Sequence, residues 1–174
     1  MARIAILVAE GARNEEIEFL KQTLEDADHE VRFMNTDTPF CRLGPEEFCG
    51  LILPHGRWPD GTSLDNDMKR FLRLSHLAGR PIAAFSGGVR MLLASGIGKG
   101  CTLTSPKSMR GLVEGSGARW VASPVAAFGH ILSAQGPESM QELMEVFLSA
   151  VEAFQRLTPT EYLLETPPPE GGAI

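Results

Sequence analysis

Three short apolar runs, separated by segments with helical periodicity, restrict this chain to a small set of folds. Arg3-Ile-Ala-Ile-Leu-Val-Ala9 is nearly continuous in its apolar character and rich in β-branched residues. A half-exposed strand would alternate apolar with polar, so a run of this kind predicts a strand covered on both faces. Gly50-Leu-Ile-Leu-Pro54 and Pro81-Ile-Ala-Ala-Phe85 read the same way, and Glu30–Met34 reads as a further strand. Between the first run and Glu30, Ile17, Leu20, Leu24 and Ala27 recur at helical spacing, with Asn14 a candidate cap and Glu15 and Glu16 suited to the first-turn dipole.

A strand, a helix and a strand in that order imply parallel pairing through a right-handed crossover. The pattern repeats. Met68, Phe71, Leu72 and Leu77 mark a helix closed by Gly79, and Gly88 to Ser95 marks another, ended by Gly96. From Cys101 to Ala134 the segments are short and turn-rich, with an antiparallel addition expected around Phe128-Gly129. Met140, Leu143, Met144, Phe147, Leu148, Val151 and Phe154 share one face of a long last helix. The expected fold class is α/β, a doubly wound and mostly parallel sheet sandwiched by helices, flavodoxin-like in outline. Ligands are expected at the carboxyl ends of its strands.

The 174 residues suffice for one domain with a sizeable core, expected over residues 1–157. Residues 158–174 hold four prolines and two glycines among few apolar residues and are expected to form a flexible tail. The formal net charge of −6, with no local Lys/Arg cluster, argues against nucleic acid as a partner. Ile4 to Ala9 is only six residues, too short to span a membrane or to act as a secretory signal core. A cytoplasmic protein without a membrane partner is therefore expected. Cys41, Cys49 and Cys101 are an odd number without metal-ligand spacing and read as reduced thiols. Nothing in the sequence gives a physical reason for a metal or an organic cofactor, and none is expected.

The segment Ala83-Ala-Phe-Ser-Gly-Gly88 joins a buried strand to a helix and approximates the G-x-S-x-G elbow, with Ala84 in place of the first glycine. Small neighbours suit a sharp turn that lifts one side chain above the sheet. The N–H groups of Gly87 and Gly88 would then lie at a helix start, able to bind an oxyanion or a carboxylate. Read blandly, Ser-Gly-Gly is only a tight turn. Leu53-Pro54-His55-Gly56 is a second strand end. Were the two strands neighbours, His55 would share the crevice with Ser86 and the backbone of Gly56 would lie beside it; otherwise His55 is an exposed loop histidine. Glu18, next to Ile17 in the first helix, is the third candidate. Periodicity alone favours a solvated carboxylate there.

Taken together these segments resemble the DJ-1/PfpI family, over nearly the whole chain to about Phe154. Ala9-Glu10-Gly11 with Glu15-Glu16-Ile17-Glu18 resembles its opening strand, glycine and acidic helix start. Leu53-Pro54-His55-Gly56 stands where the family has Pro-Gly-Gly, and Pro81–Gly88 where it has a strand ending in Ala-Ile-Cys-His-Gly. Gly96–Gly100, Leu103–Ser105 and Gln135–Pro137 fall at further landmarks. The resemblance implies a small-molecule substrate or ligand, a homodimer, and an elbow cysteine hydrogen-bonded to a glutamate of the first helix. Mapped onto this chain, Ser86 takes the cysteine position and Glu18 the glutamate, so Glu18 is expected to face the site.

The departures bear on chemistry. A serine hydroxyl is far less acidic than a thiol and needs a general base, and the family histidine after the cysteine is here Gly87. His55 is a possible replacement from the neighbouring loop, whereas His130 should fall at the far end of its strand. Asn35–Phe48 is also short against the family's hairpin. Three functions remain open. The first is a non-thiol hydratase, lyase, isomerase or cyclase using Glu18 and Ser86, by analogy with the related isocyanide hydratases. The second is a hydrolase with Ser86 as nucleophile, His55 as base and Asp60 or Asp65 to orient it. The third is a binding or regulatory protein without catalysis. The family's thiol-dependent peptidase, glyoxalase and deglycase activities are disfavoured, because no cysteine falls at the elbow.

Overall fold

The structure is a computed structural model, described for residues 1–58 and 65–157; the expected tail lies outside them. Strands β1 (Arg3–Leu7), β2 (Glu30–Met34), β3 (Gly50–Leu53), β4 (Ile82–Phe85), β7 (Val125–Phe128) and β8 (Ile131–Ala134) form one sheet in the order β2-β1-β3-β4-β8-β7. All pairs are parallel except β7 with β8, which turn back on each other through Gly129. Thr102–Leu103 (β5) and Arg119–Trp120 (β6) make a separate two-stranded parallel ribbon.

The apolar runs are explained by what covers them. Along β1, Ala5 and Leu7 face one core while Ile4 and Ile6 face the other. The first core is closed by Met68, Phe71 and Leu72 of α2 (Asn66–Leu77) and by Val89, Met91 and Leu92 of α3 (Gly87–Ala94), with Val113 of α4 (Arg110–Gly115). The second is closed by Leu20 and Leu24 of α1 (Asn14–Asp26) and by Leu143, Met144, Phe147 and Val151 of α5 (Met140–Leu157). Both faces of the central strands are therefore dry, which is the doubly wound arrangement. Among the described residues, no helix is long and apolar enough to cross a membrane.

One local detail differs from the sequence reading. Asn14 is not a cap: it is the first helical residue, and Arg13 holds the N-cap position without a side-chain hydrogen bond. The first turn is served instead by Glu15 and Glu16 against the helix dipole. The short Asn35–Phe48 segment holds two 3-10 turns, Phe40–Arg42 and Pro45–Glu47, and no strand.

At the amino end of β4 and β8, as expected for a residue next to the Gly129 turn, His130 accepts through its carbonyl from the N–H of Ile82. Its ring lies tilted against that of His76, with His130 Nε2 2.9 Å from His76 Nδ1. Burial first, and then the neighbouring His76, push the His130 pKa below its ordinary value. His29 is lowered too, by burial and then by the N-terminal ammonium, against a smaller opposing pull from Asp28. A histidine that resists protonation only when folded favours the folded state above its unfolded pKa of about 6.5 and loses that advantage as pH falls. Urea midpoints should therefore decline between about pH 7 and pH 5. His130→Gln should flatten part of that decline.

Candidate functional site

The turn from β4 into α3 has no loop. Phe85 is the last strand residue, Gly87 the first helical one, and Ser86 alone makes the corner with φ 53° and ψ −125°. A non-glycine residue at positive φ costs about 1–3 kcal/mol, and here it aims Ser86 away from both the strand and the helix. Ser86→Gly and Ser86→Ala both delete the hydroxyl, but only glycine relieves the backbone. The glycine variant should be the more stable of the two by about 1 kcal/mol in chemical denaturation.

β3 and β4 are adjacent and parallel, so the loop after β3 runs beside this corner. His55 there places Nδ1 2.7 Å from Ser86 Oγ. In the Nε2–H tautomer, Nδ1 accepts the hydroxyl proton of Ser86. Both residues are only partly buried. No carboxylate among the described residues hydrogen-bonds His55. Asp65 is occupied elsewhere, accepting from the N–H of Asp67 at 2.8 Å as the cap of α2, and Asp60 lies outside the described residues.

The glycines hold the two loops together. A Cβ on Gly87 would lie 2.4 Å from the Gly56 carbonyl oxygen, and one on Gly88 only 1.8 Å from that of Leu53. Gly56 in turn packs on Ala9, where a Cβ would come within 2.7 Å of the alanine methyl. The N–H of Gly87, in the first turn of α3, has no helical carbonyl before it, and that of Gly56 meets no acceptor among the described residues. Gly88 differs. It is buried against β3 and does not line the cavity above Ser86, so its contribution is the close approach of helix to strand.

That cavity holds about 530 Å3, within the range usual for small-molecule sites. His55 and Ser86 line it together with Arg57, Trp58, Arg90 and Ser108. Trp58 is buried, and its Nε1 has no partner among the described residues. Arg57 is fixed through its backbone, donating to the Glu10 carbonyl at 2.7 Å. None of the three cysteines lines the cavity. Cys101 donates to the Ile97 carbonyl, and burial pushes its thiol up, away from the reactive thiolate.

The expectation that Glu18 faces the site is corrected by the structure: Glu18 is exposed. Two residues along a helix turn about 200°, so Glu16 and Glu18 point to opposite sides. The buried carboxylate of α1 is Glu16, 6% exposed and on the same stripe as Leu20 and Leu24. Its Oε1 lies 3.4 Å from Arg13 Nη1 and its Oε2 is buried without a partner. The spacing Glu16-Leu20-Leu24 was already present in the sequence. Arg90 was also overlooked, although it stands four residues after Ser86 and hence one helical turn along the same side.

A mostly parallel α/β sandwich with a strained serine at a strand-to-helix corner and a histidine from the adjacent strand end defines a class with its site at the carboxyl edge of the sheet. The DJ-1/PfpI family model matches residues 34–150, and the chain belongs to the DJ-1/PfpI family. A deglycase of Thermococcus kodakarensis is 26% identical over 161 residues, covering 84% of this chain and 97% of that protein. Deglycase PfpI of Pyrococcus furiosus is 27% identical over 119 residues, covering 68% and 72%. Among solved structures, a ThiJ/PfpI domain protein of Brachyspira murdochii superposes with a TM-score of 0.75 at 17% identity, covering 87% of this chain and 96% of that one. Drosophila melanogaster DJ-1beta does so with 0.71 at 19%, covering 93% and 97%. These structural likenesses concern the fold.

Proposed function

We propose that this protein is an enzyme acting on a small organic metabolite through Ser86 as nucleophile and His55 as its general base. The observation that carries the reading is the 2.7 Å contact between Ser86 Oγ and His55 Nδ1, made beside a cavity of small-molecule size. Ser86 Oγ adds to an electrophilic carbonyl carbon while its proton passes to His55 Nδ1. The N–H groups of Gly56 and Gly87 hold the oxyanion that forms. Collapse expels the leaving group with the proton from His55. Water then attacks the acyl-serine, His55 takes a proton again, and the acid departs. A functional precedent is the name deglycase carried by the relatives above. If a reaction of that kind runs here, it runs on a hydroxyl in place of the family thiol.

A second reading is favoured by Glu16. A buried carboxyl with one unpaired oxygen, in the first turn of α1 at the carboxyl edge of β1, is suited to moving a proton. Glu16 rather than Glu18 then takes the family glutamate's part in a hydratase, lyase or isomerase reaction, with Ser86 orienting the substrate. A homodimer is part of either reading, since members of the family often form dimers.

The distinguishing experiment is hydrolysis of 4-nitrophenyl acetate by the wild type, Ser86→Ala and Glu16→Gln. The nucleophile reading predicts an acyl-enzyme burst in the wild type, its loss in Ser86→Ala and its retention in Glu16→Gln. A burst that survives Ser86→Ala would end this reading.

A further inference from the structure

We infer that the substrate carries an anionic group, a carboxylate or phosphate, and that Arg90 is the residue that selects it. The inference deepens the Ser86–His55 reading and rests on it for the identity of the reacting end.

The first observation is the charge of the cavity wall. Arg57 and Arg90 line it, and no Asp or Glu does so among the described residues. This is a reversal of the chain's own balance, 22 acidic against 16 basic residues. A cationic concavity in an acidic protein concentrates anions locally while the rest of the surface repels them.

The second observation separates the two arginines. Arg57 already has Glu10, whose Oε1 lies 3.5 Å from its Nη2. Arg90 makes no ion pair or hydrogen bond among the described residues. Its position four residues after Ser86 on α3 puts it one turn above the nucleophile, so both reach the same cavity. A guanidinium is a planar fork suited to carboxylate and phosphate oxygens. With the reacting carbonyl over Ser86 and the anion at Arg90, one small molecule is held at two points and presented in one direction.

The test uses matched aryl esters that differ only in charge: 4-acetoxybenzoate and its neutral counterpart 4-acetoxybenzamide. The wild type should show the higher kcat/KM for the benzoate, by roughly tenfold or more, as charge-assisted hydrogen bonds allow. Arg90→Gln should remove that preference and leave the benzamide within about twofold. Arg90→Lys should keep part of it. Added salt should weaken the benzoate preference, because Arg90 is exposed. A binding arm needs no chemistry: 4-hydroxybenzoate, but not 4-hydroxybenzamide, should shift the Ser86 and Gly87 amide resonances saturably, and Arg90→Gln should abolish this.

Equal handling of both esters, or a benzoate preference unchanged in Arg90→Gln, overturns the anion site and leaves the nucleophile standing. Arg90-dependent binding of 4-hydroxybenzoate without turnover of either ester supports the anion site and removes the nucleophile. Arg90 is exposed, so its truncation should leave the unfolding midpoint unchanged and the comparison clean.

Discussion

His55→Gln should lower kcat/KM for 4-nitrophenyl acetate by about 10²–10⁴-fold, the range that a positioned general base contributes. Glutamine keeps a hydrogen-bonding side chain beside Ser86 but cannot take up a proton, so the loss should fall on the acylation step. Ser86→Ala should cost at least as much, and the double variant hardly more than either single one, because nucleophile and base act as a unit. The comparison is available because His55 Nδ1 and Ser86 Oγ are 2.7 Å apart. Independent effects that multiply in the double variant would show that the two residues do not share a step.

Gly88→Ala should be the most destabilising small substitution at the site. The added methyl would fall 1.8 Å from the Leu53 carbonyl oxygen and 2.6 Å from its carbon. Both belong to the buried backbone of β3, which cannot swing aside as a side chain would. Overpacking against backbone lies at the upper end of the usual range, about 3 kcal/mol or more. In a domain of this size that corresponds to a loss of roughly 10 °C in Tm. The control is Gly111→Ala in α4, where a Cβ meets nothing within 4 Å; there alanine should stabilise by about 0.5–1 kcal/mol. Because the loop after β3 carries His55, Gly88→Ala should also impair acylation in whatever fraction remains folded. A Gly88→Ala midpoint close to that of the wild type would mean that helix and strand are not so tightly apposed.

The fold was legible because its signals are local. Ile4, Ile6, Leu51 and Ile52 form continuous apolar runs only because α1, α2, α3 and α5 cover both faces of the strands they occupy. The helix limits near Gly79 and Gly96 were legible for a similar reason, since both residues take up positive φ. The site was legible in part. Ser86 and Gly87 announce themselves through small residues at a strand-to-helix corner, and Gly56 through a glycine just past a strand end. The approach of His55 to Ser86 does not, since it depends on β3 lying next to β4, and strand order is a property of the whole sheet.

Glu16 is a different case. Its stripe with Leu20 and Leu24 was present in the sequence, but a carboxylate among apolar positions reads as a first-turn charge until its burial is seen. Asp65 shows the converse: a residue considered for the site serves as a helix cap, a role that Asp so often takes. Arg90 had only its spacing of four residues from Ser86 to mark it, and Trp58 carries no motif at all. Only the cavity shape brings Trp58 into one wall with Ser86.

The most direct measurement is peptide mapping of the wild-type protein after treatment with a fluorophosphonate, which bonds preferentially to activated serines. A single phosphonyl adduct on Ser86, formed slowly or not at all in His55→Gln, is the predicted result. An unmodified Ser86 in a folded protein, or an adduct that forms equally fast without His55, would contradict the Ser86–His55 mechanism.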